Sequence, residues 1–184
     1  MSNFYLDVLK DRLYTEKPDS FERRSAQSAI YLILDAMTRM LAPILAYTSD
    51  EIWSYMPHKS SDNTENVLFN DMPSTVDINV SDEFMDTWAK IHELRDSVKK
   101  EIEVLVKSKV IKGSLEAKVT LTASGDYLEF LNKVSEEIKP ALIVSDVEIK
   151  EGTGELEINV AKAEGEKCER CWSISKSVGK NTAH

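Results

Sequence analysis

The sequence predicts a mainly α fold: an antiparallel helical bundle over residues 1–112, a small α/β module over 113–163, and a cysteine-bearing tail over 164–184. Three observations lead there. Apolar residues recur at steps of three and four through most of the first 112 positions. At Gly113 the apolar period changes to two. The only two cysteines of the 184-residue chain, Cys168 and Cys171, stand together in "KCERCW" near its end.

The elements follow in order. Phe4, Val8, Leu9 and Leu13 of "FYLDVLKDRLY" lie on one helical face. Pro18 punctuates the chain, and Asp19 or Ser20 is placed to cap a second helix. Its stripe is Ala26, Ile30, Ile33, Met37, Met40 and Leu41, and Pro43 ends or kinks it near Leu41. "TSDE" at 48–51 is a capping-box sequence that starts a short helix through Trp53 and Tyr55. Residues 57–83 have no helical period and form an acidic connection over the bundle, pinned by the apolar "VLF" at 67–69. A long helix carries Phe84, Trp88, Ile91, Val98, Ile102 and Leu105 at helical spacing. Trp53 and Trp88 fall on apolar faces and read as core.

"SLEAKVTL" then alternates Leu115, Ala117, Val119 and Leu121 with polar residues, which is the pattern of a half-buried strand. "GDYLEFLNKVSEEI" returns to helix, and "LIVSDVEI" and "ELEINV" are strands joined by "KEGTG" as a hairpin.

Composition bounds the function. A hydrophobic fraction of 42% suits a globular core, and the longest fully apolar run, "AIYLIL", is far short of the roughly 20 residues that span a bilayer. Two cysteines do not make a disulfide framework, so a reducing, cytoplasmic setting is expected. The net charge of −9 excludes a generally basic nucleic-acid binder, but the charge is uneven. Residues 60–87 hold seven acids and no Lys or Arg, while residues 88–112 hold seven bases against four acids. No G-x-S-x-G, P-loop or H-E-x-x-H pattern occurs, and His58, His92 and His184 lie far apart. No catalytic residue is assigned, and the chain reads as a binding module.

"FYLDVLKDRLYTE" and "RRSAQSAIYLILDAMTRMLAPILAYTSDEIW" resemble the anticodon-binding domain of class I aminoacyl-tRNA synthetases. "GSLEAKVTL" and "AEGEKCERCW" resemble the C-terminal part of the bacterial isoleucyl-tRNA synthetases. The resemblance covers the chain. It implies a fragment of an isoleucine–tRNA ligase that grips the anticodon arm of the isoleucine tRNA, as a monomer with no membrane partner. The catalytic and editing domains would lie outside it, with the HIGH and KMSKS signatures and the use of ATP and Mg. The fragment alone is expected to be inactive and to pack on the absent catalytic domain. Two alternatives stay open: a valyl-type synthetase fragment, against which "CERCW" counts, and a zinc-ribbon adaptor that binds protein.

With RNA as the implied partner, Arg95, Lys99, Lys100, Lys107, Lys109 and Lys112 on the long helix and its exit become the first contact candidates, at a groove expected where bundle and module meet. Arg170 and Trp172 in the tail are candidates for phosphate contact and base stacking. Arg23 and Arg24 sit in a first helical turn, where positive charge is mildly unfavourable. A partner explains that placement, and so would an ion pair with Asp19 or Glu22. For each lysine the plain alternative is a solvated helix face. Cys168 and Cys171 are half of a four-ligand zinc site. The resemblance places a second cysteine pair past His184, so little or no zinc, and disorder beyond about Trp172, are expected in this chain.

Overall fold

A computed structural model describes residues 4–76 and 78–180, and among them six α-helices and two small sheets. Contacts divide the chain into two compact units: Met1–Thr15 with Val80–His184, and Glu16–Asn79.

In the second of these, α2 (Phe21–Leu41) begins under Ser20, whose hydroxyl accepts the Arg23 N–H at 3.2 Å, and ends before Pro43. The next helix, α3 (Ala46–Tyr55), starts two residues ahead of the expected capping box and has no side-chain cap. The turn after α2 is already closed by Leu41, whose carbonyl accepts from Ile44 and Leu45. Helical bonding therefore resumes at once, with Ser49 N–H on the Leu45 carbonyl. The acidic connection is ordered here. Its 3₁₀ turn, Val67–Phe69, buries Val67 with Ala42, Trp53 and Met56, which is the pinning role expected of "VLF". Met37, Met40 and Leu41 of the predicted stripe remain exposed.

The other unit contains α1 (Tyr5–Tyr14), α4 (Asp82–Lys107), α5 (Gly125–Lys133), α6 (Ser135–Leu142), β1 (Ala117–Ala123), β2 (Asp146–Glu151) and β3 (Glu157–Lys162). Ser81 caps α4 through the Phe84 N–H. Ile91, Leu94, Val98 and Ile102 of α4 share one core with Val119, Leu121, Leu131 and Ile138. Within this unit α4 continues into the packing of the α/β module, across the boundary expected at residue 112. The apolar stripe of α4 finds its partner in the sheet and α6, so α4 is a layer on the α/β module. Trp88 is only half-buried, beside Phe4 and Phe84.

The sheet order is β2-β1-β3, with β2 parallel and β3 antiparallel to β1. The predicted β2–β3 hairpin is therefore wrong: the two strands flank β1 and do not pair. The connection crosses the end of β1 at Gly152, whose N–H donates to the Ala123 carbonyl at 2.9 Å. A Cβ there would come within 2.6 Å of Thr122 Cγ2, so the crossing needs glycine's bare backbone. The single helix predicted over 125–138 is two, bent at Val134. That residue stays buried, so the apolar period runs through the bend unbroken.

The tail forms a two-strand ladder, β4 (Glu166–Lys167) with β5 (Ile174–Ser175), around the CxxC turn. Past Trp172, where disorder is expected, the structure describes residues as far as Lys180, including β5. Residues 181–184, including His184, lie outside the described residues.

Candidate nucleic-acid interface

The predicted cations separate into different environments. Arg95 is not a surface residue. It is 5% exposed, its Nη1 donates to the Ala141 carbonyl at 2.7 Å, and its guanidinium lies 5.1 Å from the Phe4 ring centroid. Burial pulls it below the usual arginine range, with Asp7 and Asp96 offsetting part of that. It caps the carbonyl end of α6 as a core cation, and this removes it from the contact candidates. Helical spacing held the signal: Arg95 fills the i+4 position in the seven-residue gap between Ile91 and Val98 of the α4 stripe.

Lys99 and Lys100 are exposed on α4, and Lys109 and Lys112 are exposed on the loop after it. None of the four ion-pairs with a carboxylate among the described residues. Lys109 holds a left-handed backbone, φ 60°, as the chain leaves the helix. Lys107 differs: it pairs with Glu103 at 3.6 Å, one turn back, in full solvent.

In the tail, Trp172 is 60% exposed at φ 65°, and its N–H bonds the Cys168 carbonyl at 2.9 Å. Lys167 Nζ lies 5.1 Å from its ring centroid, so the indole is flanked by a cation. Arg170 is exposed at the tip of the turn. Exposed aromatic and basic groups on a short rigid turn suit base stacking with phosphate neutralisation. Lys167 was not singled out from sequence. Its lysine-to-tryptophan spacing across the CxxC turn becomes a contact only once the turn closes.

Arg23 and Arg24 lie in the other unit. Arg23 donates to the Glu16 carbonyl at 3.1 Å, which accounts for its first-turn position with neither Asp19 nor Glu22. Arg24 is exposed. That unit also holds a network the sequence did not show. Arg39 bridges Asp35 at 2.8 Å and Asp62 at 2.9 Å, and its guanidinium lies 4.8 Å from the Trp53 ring.

Cys168 and Cys171 are free thiols. Cys168 is held below the ordinary thiol range, first by the Cys171 N–H, then by the Arg170 N–H and the Cys171 side chain. No third His, Cys, Asp or Glu joins them in a metal-sized group among the described residues. The described donor set therefore does not fit a closed tetrahedral zinc site, which takes four ligands. No helix among the described residues is long and apolar enough to cross a membrane.

The described residues thus form six helices and two small sheets, with the unpaired Lys99 and Lys100 on the long helix and Lys109 and Lys112 just after it. Residues 1–121 match the family model for the anticodon-binding domain of tRNA ligases, and the chain belongs to that family. At the level of the particular protein, it is similar to isoleucine–tRNA ligases. It is 44% identical to that of Desulforamulus reducens over all of this chain and 21% of that protein. It is 42% identical to that of Caldicellulosiruptor saccharolyticus over 98% of this chain and 20% of the relative. For Carboxydothermus hydrogenoformans the figures are 45%, 97% and 20%. The chain spans about a fifth of the length of these curated relatives.

Proposed function

We propose that this chain grips the anticodon arm of the isoleucine tRNA, as a non-catalytic part of an isoleucine–tRNA ligase. The observation that carries the reading is similarity along the whole chain to ligases of that name, joined to a family match over residues 1–121. Anticodon bases are single-stranded and can be splayed out, stacked on aromatic rings and bonded at their edges. Lys99, Lys100, Lys109 and Lys112 supply phosphate contacts that hold the arm in register. Trp172, with Lys167 and Arg170, supplies a stacking surface.

Attachment of isoleucine, with its ATP and Mg, belongs to a catalytic domain of the parent protein in the cytoplasm. Exposed apolar residues support a surface for that domain: Phe21, Ile44, Tyr47 and Tyr55 all stand in solvent on the unit Glu16–Asn79. Zinc enters this reading only with ligands from outside the described residues, added to Cys168 and Cys171.

The test is a titration of the chain with anticodon stem-loops that differ only in the anticodon, at several salt concentrations. The expected result is preference for an isoleucine anticodon and a linear fall of log K with log salt, about 0.7 to 0.9 per phosphate neutralised. A chain that ignores every RNA at low salt overturns the proposal in favour of a protein-binding adaptor.

A further inference from the structure

The tail from Glu166 to Lys180 is a small structure in its own right. Its ladder pairs Glu166 with Ser175 and Lys167 with Ile174. Cys168 N–H donates to the Ser173 carbonyl at 2.9 Å, and Trp172 N–H closes the turn on Cys168. Gly165 enters it at φ 125°, where a Cβ would lie 2.4 Å from the Ser175 carbonyl carbon, so the two arms meet backbone to backbone. All of these contacts are internal to the tail and its entry. They shape the turn but do not say where it sits.

Two contacts seat it: the Lys176–Glu164 ion pair ties it to its own entry segment, and the Ile174 N–H donates across to Ser145 Oγ at 2.6 Å, just ahead of β2. Ser145 is 4% exposed, immediately ahead of β2. Its own hydroxyl proton goes to the Leu115 carbonyl, and its N–H goes to the Ala117 carbonyl at 3.1 Å. The hydroxyl is thus fixed as a donor to the sheet and left as an acceptor for the tail. A polar cavity of about 320 Å³, walled by Lys118, Lys139 and Asp146 from the sheet side, separates the two bodies around this bond.

We propose that Ser145 is a positioning residue: its hydroxyl sets the pose of the CxxC turn, and with it Trp172 and Lys167, on the sheet. Cys168 shapes the turn itself, and the seat of the turn on the sheet is a separate contact. The role stands apart from the RNA reading, and only its consequence for tRNA rests on that reading.

Amide hydrogen exchange of the full 184-residue chain tests it. Ser145→Ala is expected to speed exchange at Ile174 by tenfold or more, with a smaller rise at Cys168, while Leu121 in β1 keeps its protection. Ser145→Thr keeps the hydroxyl and is expected to restore Ile174 to within about threefold. The double variant Cys168→Ser with Cys171→Ser is expected to leave Ile174 unchanged.

Unchanged Ile174 exchange in Ser145→Ala overturns the proposal, and so does loss of protection in the double cysteine variant. If Ser145→Ala also exposes Leu121, Ile174→Pro decides. It removes the donor and leaves Ser145 bonded to Leu115, so faster exchange at Cys168 with Leu121 protected upholds the role. An unchanged Cys168 refutes it. Stem-loop affinity separates the two readings. Ile174 deprotected by Ser145→Ala with RNA binding intact upholds the positioning role and removes the tail from the RNA surface.

Discussion

Removing Arg39 tests the energetic account of the unit Glu16–Asn79. The side chains of Arg39 and Asp35 are each 10% exposed and that of Asp62 is 6% exposed, so the network is nearly dry. Arg39→Ala leaves two buried carboxylates sharing one weaker partner, Lys59, at 3.5 Å from Asp35 Oδ2. Breaking a buried pair from one side costs about 3–5 kcal/mol. Lys59 also gives its backbone N–H to Asp62 at 2.9 Å, which argues for the lower end. The Trp53 contact adds up to about 1 kcal/mol. A loss of about 3 kcal/mol lowers the melting temperature by roughly 6–12 °C for a chain of this size. Urea denaturation followed by circular dichroism measures it. Arg39→Lys is expected to recover less than half, because one ammonium cannot span both carboxylates as the guanidinium fork does. A loss below about 1 kcal/mol, the range of exposed ion pairs, would refute the reasoning.

Other outcomes follow from the same structure. Arg95→Ala is expected to destabilise the chain by about 2–4 kcal/mol, since a charge-assisted bond and a cation–π contact are both lost, while a stably folded Arg95→Met keeps its stem-loop affinity. Together, Lys99→Ala, Lys100→Ala, Lys109→Ala and Lys112→Ala are expected to leave the melting temperature within about 2 °C and to reduce the salt dependence of RNA binding by up to about 3 in slope. Trp172→Ala is expected to weaken stem-loop binding by about 1–3 kcal/mol at any salt, read by fluorescence anisotropy. Asp62 is pulled below the ordinary carboxylate range: burial raises it, but the Lys59 N–H and the Arg39 ion pair outweigh that. Its stabilisation is therefore complete above the unfolded value near 4 and is lost as pH falls through the lowered one. Melting temperature against pH should show that acid limb, and Asp62→Asn should flatten it.

Sequence by itself determined the elements and the family. Helical periods located α1, α2 and α4, Ser20 and Pro43 bounded α2, and the switch to alternation at Gly113 located β1, because these signals are local. The quoted stretches carried the resemblance for the same reason: they are runs of adjacent residues. Partnership was different. An apolar stripe states that a helix face is buried but not against what, so the packing of α4 on β3 and α6 was not legible. Two strands with a turn between them read as a hairpin, and only the pairing of both with β1 shows the chain crossing it. Arg95 stands on the α4 stripe between Ile91 and Val98, so its burial was legible in the spacing, but its partner, the Ala141 carbonyl, was not. Arg39 with Asp62, and Ser145 with Ile174, are contacts across 23 and 29 residues. Tertiary structure alone decides such pairs, because nothing in local spacing records which distant backbone a hydroxyl or a guanidinium will meet.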